Sequence, residues 1–294
     1  MADLKEIKKR IGSVQNTRQI TRAMKMVAAA KLRRSQEAIV NARPYAYRIY
    51  AILISLFQKE GIQHPLLVSR DEKKIRLVVL AGDRGLCGSF NANILKAAHN
   101  FIKAKEALGI EVSLDVIGKK ANDYFKKRHP ISTYHEGIIA KVSWGKVSKI
   151  ADEILAAYQK EEFDAIYLVY NEFKSAIQQK ITTERLIPVA TEIPQGVQSM
   201  LTNMEAERFK DYIFEPSKEE ILSEIIPRHF KMQLFRSILE SIASEHGSRM
   251  SAMENATKNA SEMISGLTLK YNKARQEKIT GELMEIVGGV EAMR

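Results

Sequence analysis

The residues best placed for chemistry form the run Gly82-Asp-Arg-Gly85-Leu-Cys-Gly88-Ser-Phe-Asn, which follows an apolar segment and precedes a helical pattern. A glycine-rich turn between strand and helix leaves backbone N–H groups free to cradle phosphate. The spacing here is G-x-x-G-x-x-G. It fits neither the dinucleotide fingerprint nor the phosphate loop that carries Lys before Ser/Thr. A structural tight turn or partner-contact loop is therefore favoured over a bound nucleotide. Cys87 beside Arg84 could act as a nucleophile if a base approached it in space, but no His adjoins it in sequence. A small buried thiol is the plainer reading. The histidines at 64, 99, 129, 135, 229 and 246 show no HExxH or paired metal spacing. The single Cys excludes an intrachain disulfide and any multi-Cys metal site. Glu161-Glu162 and Glu219-Glu220 lie in polar helical stretches and read as solvated faces. No catalytic residue, cofactor site or metal site is expected.

The cations are the next candidates. The 294 residues carry 46 Lys and Arg against 35 Asp and Glu, a formal net charge of +11. Residues 1–40 hold ten of the cations and three of the acids, a net of +7. Lys5, Lys8, Lys9, Arg18, Arg22, Lys25, Lys31, Arg33 and Arg34 spread around a helix instead of lining one stripe. A DNA-reading helix interleaves its cations with base-reading side chains. Gln15, Asn16 and Gln19 could be cast so, yet no dimerising motif supports them. An unbalanced helix points first to an acidic protein partner; nucleic acid is second.

Proline divides the elements that must position these groups. All seven prolines fall between residues 44 and 227. The ends are free to form long helices, because an interior proline costs about 3 kcal/mol. Leu4, Ile7, Ile11 and Val14 follow the 3-4-3 spacing of a coiled-coil seam. Arg18 takes the next seam position, and the stripe is expected to shift to Ile20, Ala23, Met24, Val27 and Ala30. Ile238, Ile242, Ala252, Ala256, Met263, Leu267 and Ala274 keep heptad-like steps at the other end. The length of the two tracts and their position at both ends favour an antiparallel pair of terminal helices over two amphipathic helices laid on a globular core. Between them, strands are predicted at 75–81, 111–117, 164–170 and 177–189, with helices at about 91–108, 119–128 and 146–161. This alternation predicts a mainly parallel α/β sheet. The predicted organisation is an N-terminal coiled-coil helix at 1–60, an α/β domain at 74–190, a connecting segment at 191–216 and a C-terminal coiled-coil helix at 217–294. No run of apolar residues is long enough for a membrane span.

Three separated motifs carry a family resemblance. Ser13-Val-Gln-Asn-Thr-Arg-Gln-Ile-Thr-Arg-Ala-Met-Lys-Met-Val-Ala-Ala-Ala-Lys31, Asp83-Arg-Gly-Leu-Cys-Gly88 and Tyr271-Asn-Lys-Ala-Arg-Gln-Glu-Lys-Ile-Thr-Gly-Glu-Leu-Met-Glu-Ile-Val-Gly289 resemble the N-terminal, central and C-terminal signatures of the gamma subunits of F-type ATP synthases. A turn at Arg43-Pro-Tyr45 fits too. The likeness runs end to end. It departs at Gly88-Ser89, where Gly-Gly is common, and lacks the cysteine-bearing regulatory insertion of the plastid version.

The resemblance implies a fold and a role. The fold would be α/β plus coiled coil: long terminal helices in an antiparallel left-handed coiled coil, with a Rossmann-like, mainly parallel domain inserted. The role would be the noncatalytic central-stalk rotor, which transmits torque between a proton-driven membrane ring and the catalytic sites of the head. Its partners would be the alpha and beta subunits, the epsilon subunit and the membrane c-ring. Neither nucleic acid nor a directly bound small-molecule substrate is expected. Met24 and Lys25 fall where the family's N-terminal helix faces the acidic catalytic-subunit loops. Arg249, Arg275, Gln276, Thr280 and Glu282 fall where its C-terminal helix contacts the head. Cys87, Phe209, Tyr212 and Glu215 are foot-contact candidates. The seam begins at Leu4, which predicts no leader peptide and a peripheral location on the cytoplasmic face of a bacterial inner membrane. The competing readings are a nucleotide-binding α/β enzyme with helical arms and a nucleic-acid-binding coiled-coil protein.

Overall fold

The computed structural model describes residues 4–57, 64–176, 178–189, 217–291 and 293. Its contacts divide the chain into two compact units, residues 1–29 with 249–294 and residues 30–248. Both contain parts of the two long helices, α1 (Leu4–Phe57) and α5 (Lys218–Glu291).

In the first unit, α1 and α5 run antiparallel. Lys25 Nζ meets Glu254 Oε1 at 2.7 Å, and Thr257 Oγ1 lies 2.8 Å from Thr21 Oγ1. Moving back along α1 thus moves forward along α5. The covered positions of α1 are Leu4, Ile7, Ile11, Val14, Arg18, Thr21, Lys25 and Ala28, with Met24 beside Lys25. On α5 they are Met253, Thr257, Ala260, Ile264, Leu267, Tyr271 and Ala274. Steps of three and four alternate along both, which keeps one stripe of each helix covered.

The expected shift of the α1 stripe does not occur. Ile20 is 60% exposed and Val27 56%, and Ala23 and Ala30 also face outward. The seam continues through Thr21 and Ala28, whose small side chains permit close approach. Thr21 costs little there because its hydroxyl has hydrogen-bond partners in the Arg18 carbonyl and Thr257. On α5, Met263 is 48% exposed and Ile264 takes its place in the seam. The turn expected at Arg43-Pro-Tyr45 is also replaced, since α1 continues through Pro44. Proline removes the bond to the carbonyl four residues back. That residue, Val40, is exposed, so solvent can satisfy its carbonyl.

The second unit holds the sheet. Its strands are β1 (Lys74–Leu80), β2 (Glu111–Ile117), β3 (Ile131–His135), β4 (Ala165–Phe173) and β5 (Gln179–Ile187), in the order β3-β2-β1-β4-β5. The first four are parallel and β5 is antiparallel to β4. Helices α2 (Phe90–Glu106) and α3 (Lys119–Phe125) cover one face. There Ile94, Ala98, Ile102 and Phe125 pack on Leu77, Val79, Leu114 and Val116. The other face packs Val78, Leu80, Ile166 and Leu168 against α4 (Trp144–Gln159) and against Leu53 of α1 and Ile226, Phe230, Leu234 and Ile238 of α5. Both faces of the central strands are therefore buried, which is why β1 and β4 read as continuous apolar runs.

Candidate functional site

The glycine-rich turn is occupied by its own chain. Asn91 Oδ1 accepts the Gly82 N–H at 2.8 Å, and Asn91 Nδ2 donates to the Arg84 carbonyl and to Cys87 Sγ, both at 3.2 Å. Asp83 Oδ1 accepts the Lys119 N–H at 2.9 Å, and the Gly82 carbonyl accepts the Lys120 N–H at 3.1 Å. These bonds tie the turn to the starts of α2 and α3. Cys87 is 1% exposed and its thiol points to the Arg84 carbonyl at 3.7 Å. A buried thiol engaged with a carbonyl and an amide is not poised as a nucleophile. Leu86, at the tip, is 64% exposed and sits at φ +61°. Gly118, where β2 meets α3, has φ +101°, and a Cβ there would lie 1.8 Å from the Ala81 carbonyl oxygen. Among the described residues, no group of three His, Cys, Asp or Glu could hold a metal ion.

The helical candidates separate into two sets. Met24 and Lys25 are half-buried on α1, and Lys25 is held by Glu254 of α5. A groove of about 620 Å³ opens beside them, lined by Arg18, Gln19, Arg22, Lys25, Glu254, Thr257, Lys258 and Ser261. Arg249 is half-buried on α5. Arg275, Gln276, Thr280 and Glu282 form the second set, fully on the surface. Glu282 pairs with Lys278 of its own helix at 3.7 Å. Residues 275–290 are all exposed, including Ile279, Leu283, Met284, Ile286, Val287 and Val290. Phe209, Tyr212 and Glu215 lie outside the described residues. No described helix is long and apolar enough to cross a membrane.

Sequence reading missed one polar assembly, where α5 meets the sheet in the second unit. Arg236 reaches Glu184 of β5 at 3.4 Å and Glu240 of its own helix at 3.2 Å. Tyr170 of β4 donates to Glu184 at 3.3 Å. Ser244 donates to the Asn171 carbonyl, Ser248 to Gln179 Oε1, and Lys231 pairs with Asp152 of α4 at 2.6 Å. Burial disfavours the Arg236 charge, but Tyr170, Glu240 and Glu184 more than offset it, so its pKa is raised. Burial raises the Tyr170 phenol as well. His229 is buried beside Gln233, and desolvation, helped by Arg236, lowers its pKa to about 4. Only the i, i+4 pair Arg236/Glu240 was readable as a motif; the partners on β4 and β5 are tertiary.

A chain with long terminal helices and a five-stranded sheet between them in sequence meets its match in one family. A family model described as ATP synthase covers residues 3–293. The gamma chain of Geobacter metallireducens ATP synthase is 48% identical over the full length of both chains. That of Syntrophus aciditrophicus is 43% identical, covering all of this chain and 99% of its own. The chain belongs to the ATP synthase gamma-chain family. Two solved structures share its fold. A chain of the Tetrahymena thermophila mitochondrial ATP synthase central stalk and c-ring aligns with TM-score 0.60 and 25% identity, covering 81% of this chain and 99% of its own. A chain of the Euglena gracilis mitochondrial assembly of OSCP, F1 and c-ring aligns with TM-score 0.64 and 20% identity, covering 99% and 94%.

Proposed function

We propose that this chain is the central-stalk rotor of an F-type ATP synthase, a noncatalytic shaft that carries torque between a proton-driven c-ring and the alpha and beta subunits of the head. The full-length likeness to gamma chains carries the reading. The alternating three- and four-residue steps of the covered positions support it, since that spacing underlies a left-handed coiled coil. Residues 1–60 and 217–294 form the shaft helices. Residues 74–190 form a Rossmann-like foot domain, joined to the C-terminal helix through 191–216 and contacting the epsilon subunit and the ring. The protein works peripherally, on the cytoplasmic face of a bacterial membrane, and binds neither cofactor nor nucleic acid. The glycine turn gives the nucleotide-enzyme alternative little support, because its spacing matches no phosphate-binding fingerprint and its Gly82 N–H is taken by Asn91.

The mechanism is differential contact. An asymmetric shaft presents a different surface to each catalytic subunit as it turns, and each subunit shifts toward the conformation that binds that surface best. Met24 and Lys25 bear on the acidic loops of the head, where opposite charge steers and holds without deep interlocking. Arg249, Arg275, Gln276, Thr280 and Glu282 provide polar contacts along α5. The turn around the buried Cys87 offers its exposed tip, Leu86, to the foot partners, and Phe209, Tyr212 and Glu215 are assigned to the same contact. Met24→Lys is expected to leave ATP hydrolysis in place while proton pumping falls several-fold in inverted membrane vesicles. Unchanged coupling would remove Met24 from the contact. The purified chain should capture alpha, beta and epsilon subunits and have no ATPase activity of its own; activity in the isolated chain would sink the rotor reading.

A further inference from the structure

The groove beside Lys25 combines features that the seam does not require. Residues 7–36 contain nine Lys and Arg and no Asp or Glu. Three of those cations, Arg18, Arg22 and Lys25, line the groove, and Lys258 closes it from α5. Glu254 is the only carboxylate in its lining and is engaged by Lys25 at 2.7 Å. Arg18, Arg22 and Lys258 have no carboxylate within ion-pair distance among the described residues. Like charges on facing helices repel, and the repulsion is relieved when a multivalent anion lies between them.

We propose that this groove binds a polyphosphate chain, either the triphosphate of a nucleotide or inorganic polyphosphate. Arg18 and Arg22 are one helical turn apart on the same face, so their guanidinium groups offer paired N–H donors along a line. Successive phosphates present oxygens along such a line and accept the charge-assisted bonds that arginine makes best. Lys258 neutralises the chain from the opposite helix, and the Gln19 amide adds a neutral donor. Thr257 and Ser261 point hydroxyls at the Met253 and Thr257 carbonyls, so the cations carry the binding. A chain of several phosphates brings more charge to the cations of both helices than a single phosphate does. The bound chain bridges α1 and α5 and stiffens the pair. It also masks the basic face that the rotor reading assigns to the acidic loop; that regulatory consequence rests on the proposed function, whereas the binding does not.

The test is calorimetric titration of the full-length chain with tripolyphosphate, ATP without magnesium, and orthophosphate, at about 50 mM and about 200 mM salt, where screening differs twofold in length. Tripolyphosphate and ATP should bind saturably at one site with similar affinity, at least tenfold tighter than orthophosphate and at least tenfold weaker at the higher salt. The double variant Arg22→Gln/Lys258→Gln should lose at least tenfold, whereas Lys8→Gln/Lys9→Gln, which removes the same charge elsewhere on α1, should lose less than twofold. Circular dichroism establishes that both variants remain helical. Equal losses in the two variants, or no saturable binding, would overturn the proposal, and tighter binding of ATP alone would overturn recognition through the phosphates. The same double variant, assembled with the head and assayed for proton pumping, reports on the acidic-loop contact separately. Lost coupling with no polyphosphate binding by the native chain would leave the rotor reading standing and this proposal refuted.

Discussion

His229 is a side chain whose ionisation is changed by folding within the mildly acidic range. Its pKa falls from 6.5 to about 4, mainly because burial disfavours the imidazolium. The folded state therefore binds fewer protons than the unfolded state between those values. The stability due to neutral burial is fully present above pH 6.5 and is lost as pH falls toward 4, by about 3 kcal/mol at most. Denaturant titrations of the isolated chain should show this slope, and His229→Gln should flatten it. Lys25 offers the opposite case. Its pair with Glu254 is partly exposed, so Lys25→Gln should lower stability by less than about 1 kcal/mol. If Lys25 bears on the head, coupling will fall far more than melting temperature does. Neither role was legible from residue type alone. The sequence reading found no metal spacing around His229 and gave it no other part, and Glu254, 229 positions from Lys25, entered no motif.

At the level of elements, legibility followed burial. β1, β2 and β4 were readable because their apolar runs are buried on both faces, and α2 and α4 because each has a single apolar stripe. β3 was missed. Ile131-Ser-Thr-Tyr-His135 is a short edge strand with no fully buried residue, so no alternation betrays it. The α1 stripe was misplaced after Arg18 because side-chain hydrophobicity favours Ile20 and Val27, whereas close helix packing favours Thr21 and Ala28. Two junctions support firm predictions. Gly118→Ala should destabilise the sheet domain by about 3 kcal/mol or more, since the added methyl meets the Ala81 carbonyl and the backbone conformation disfavours any side chain. Arg236→Met should cost about 2 kcal/mol in chemical denaturation by leaving Glu184 and Glu240 without their shared cation.

For the whole molecule, residues 275–294 separate stability from the proposed partner contacts. Residues 275–290 are all exposed, so removing 275–294 should shift the melting temperature by no more than about 1 °C while reducing helical ellipticity. If Arg275, Gln276, Thr280 and Glu282 grip the head, the same truncation will weaken coupling in the assembled enzyme. The overall class was legible because long helices at the chain ends and a βα alternation between them constrain the fold so strongly. The contact surfaces are proposed by resemblance alone, because an exposed helical residue that awaits a partner has the same composition as one that faces water.

The outward-facing Ile20 and Val27, together with the uncovered apolar residues of the last turns, bear on how this protein must be made. Large side chains left in water near one another are sites of adventitious association. A chain synthesised in excess of its partners would leave these side chains open to chance association and to proteases in the crowded cell. Its cellular level should therefore track that of the subunits that cover it, so that matched synthesis becomes a requirement imposed by the surface of a shaft.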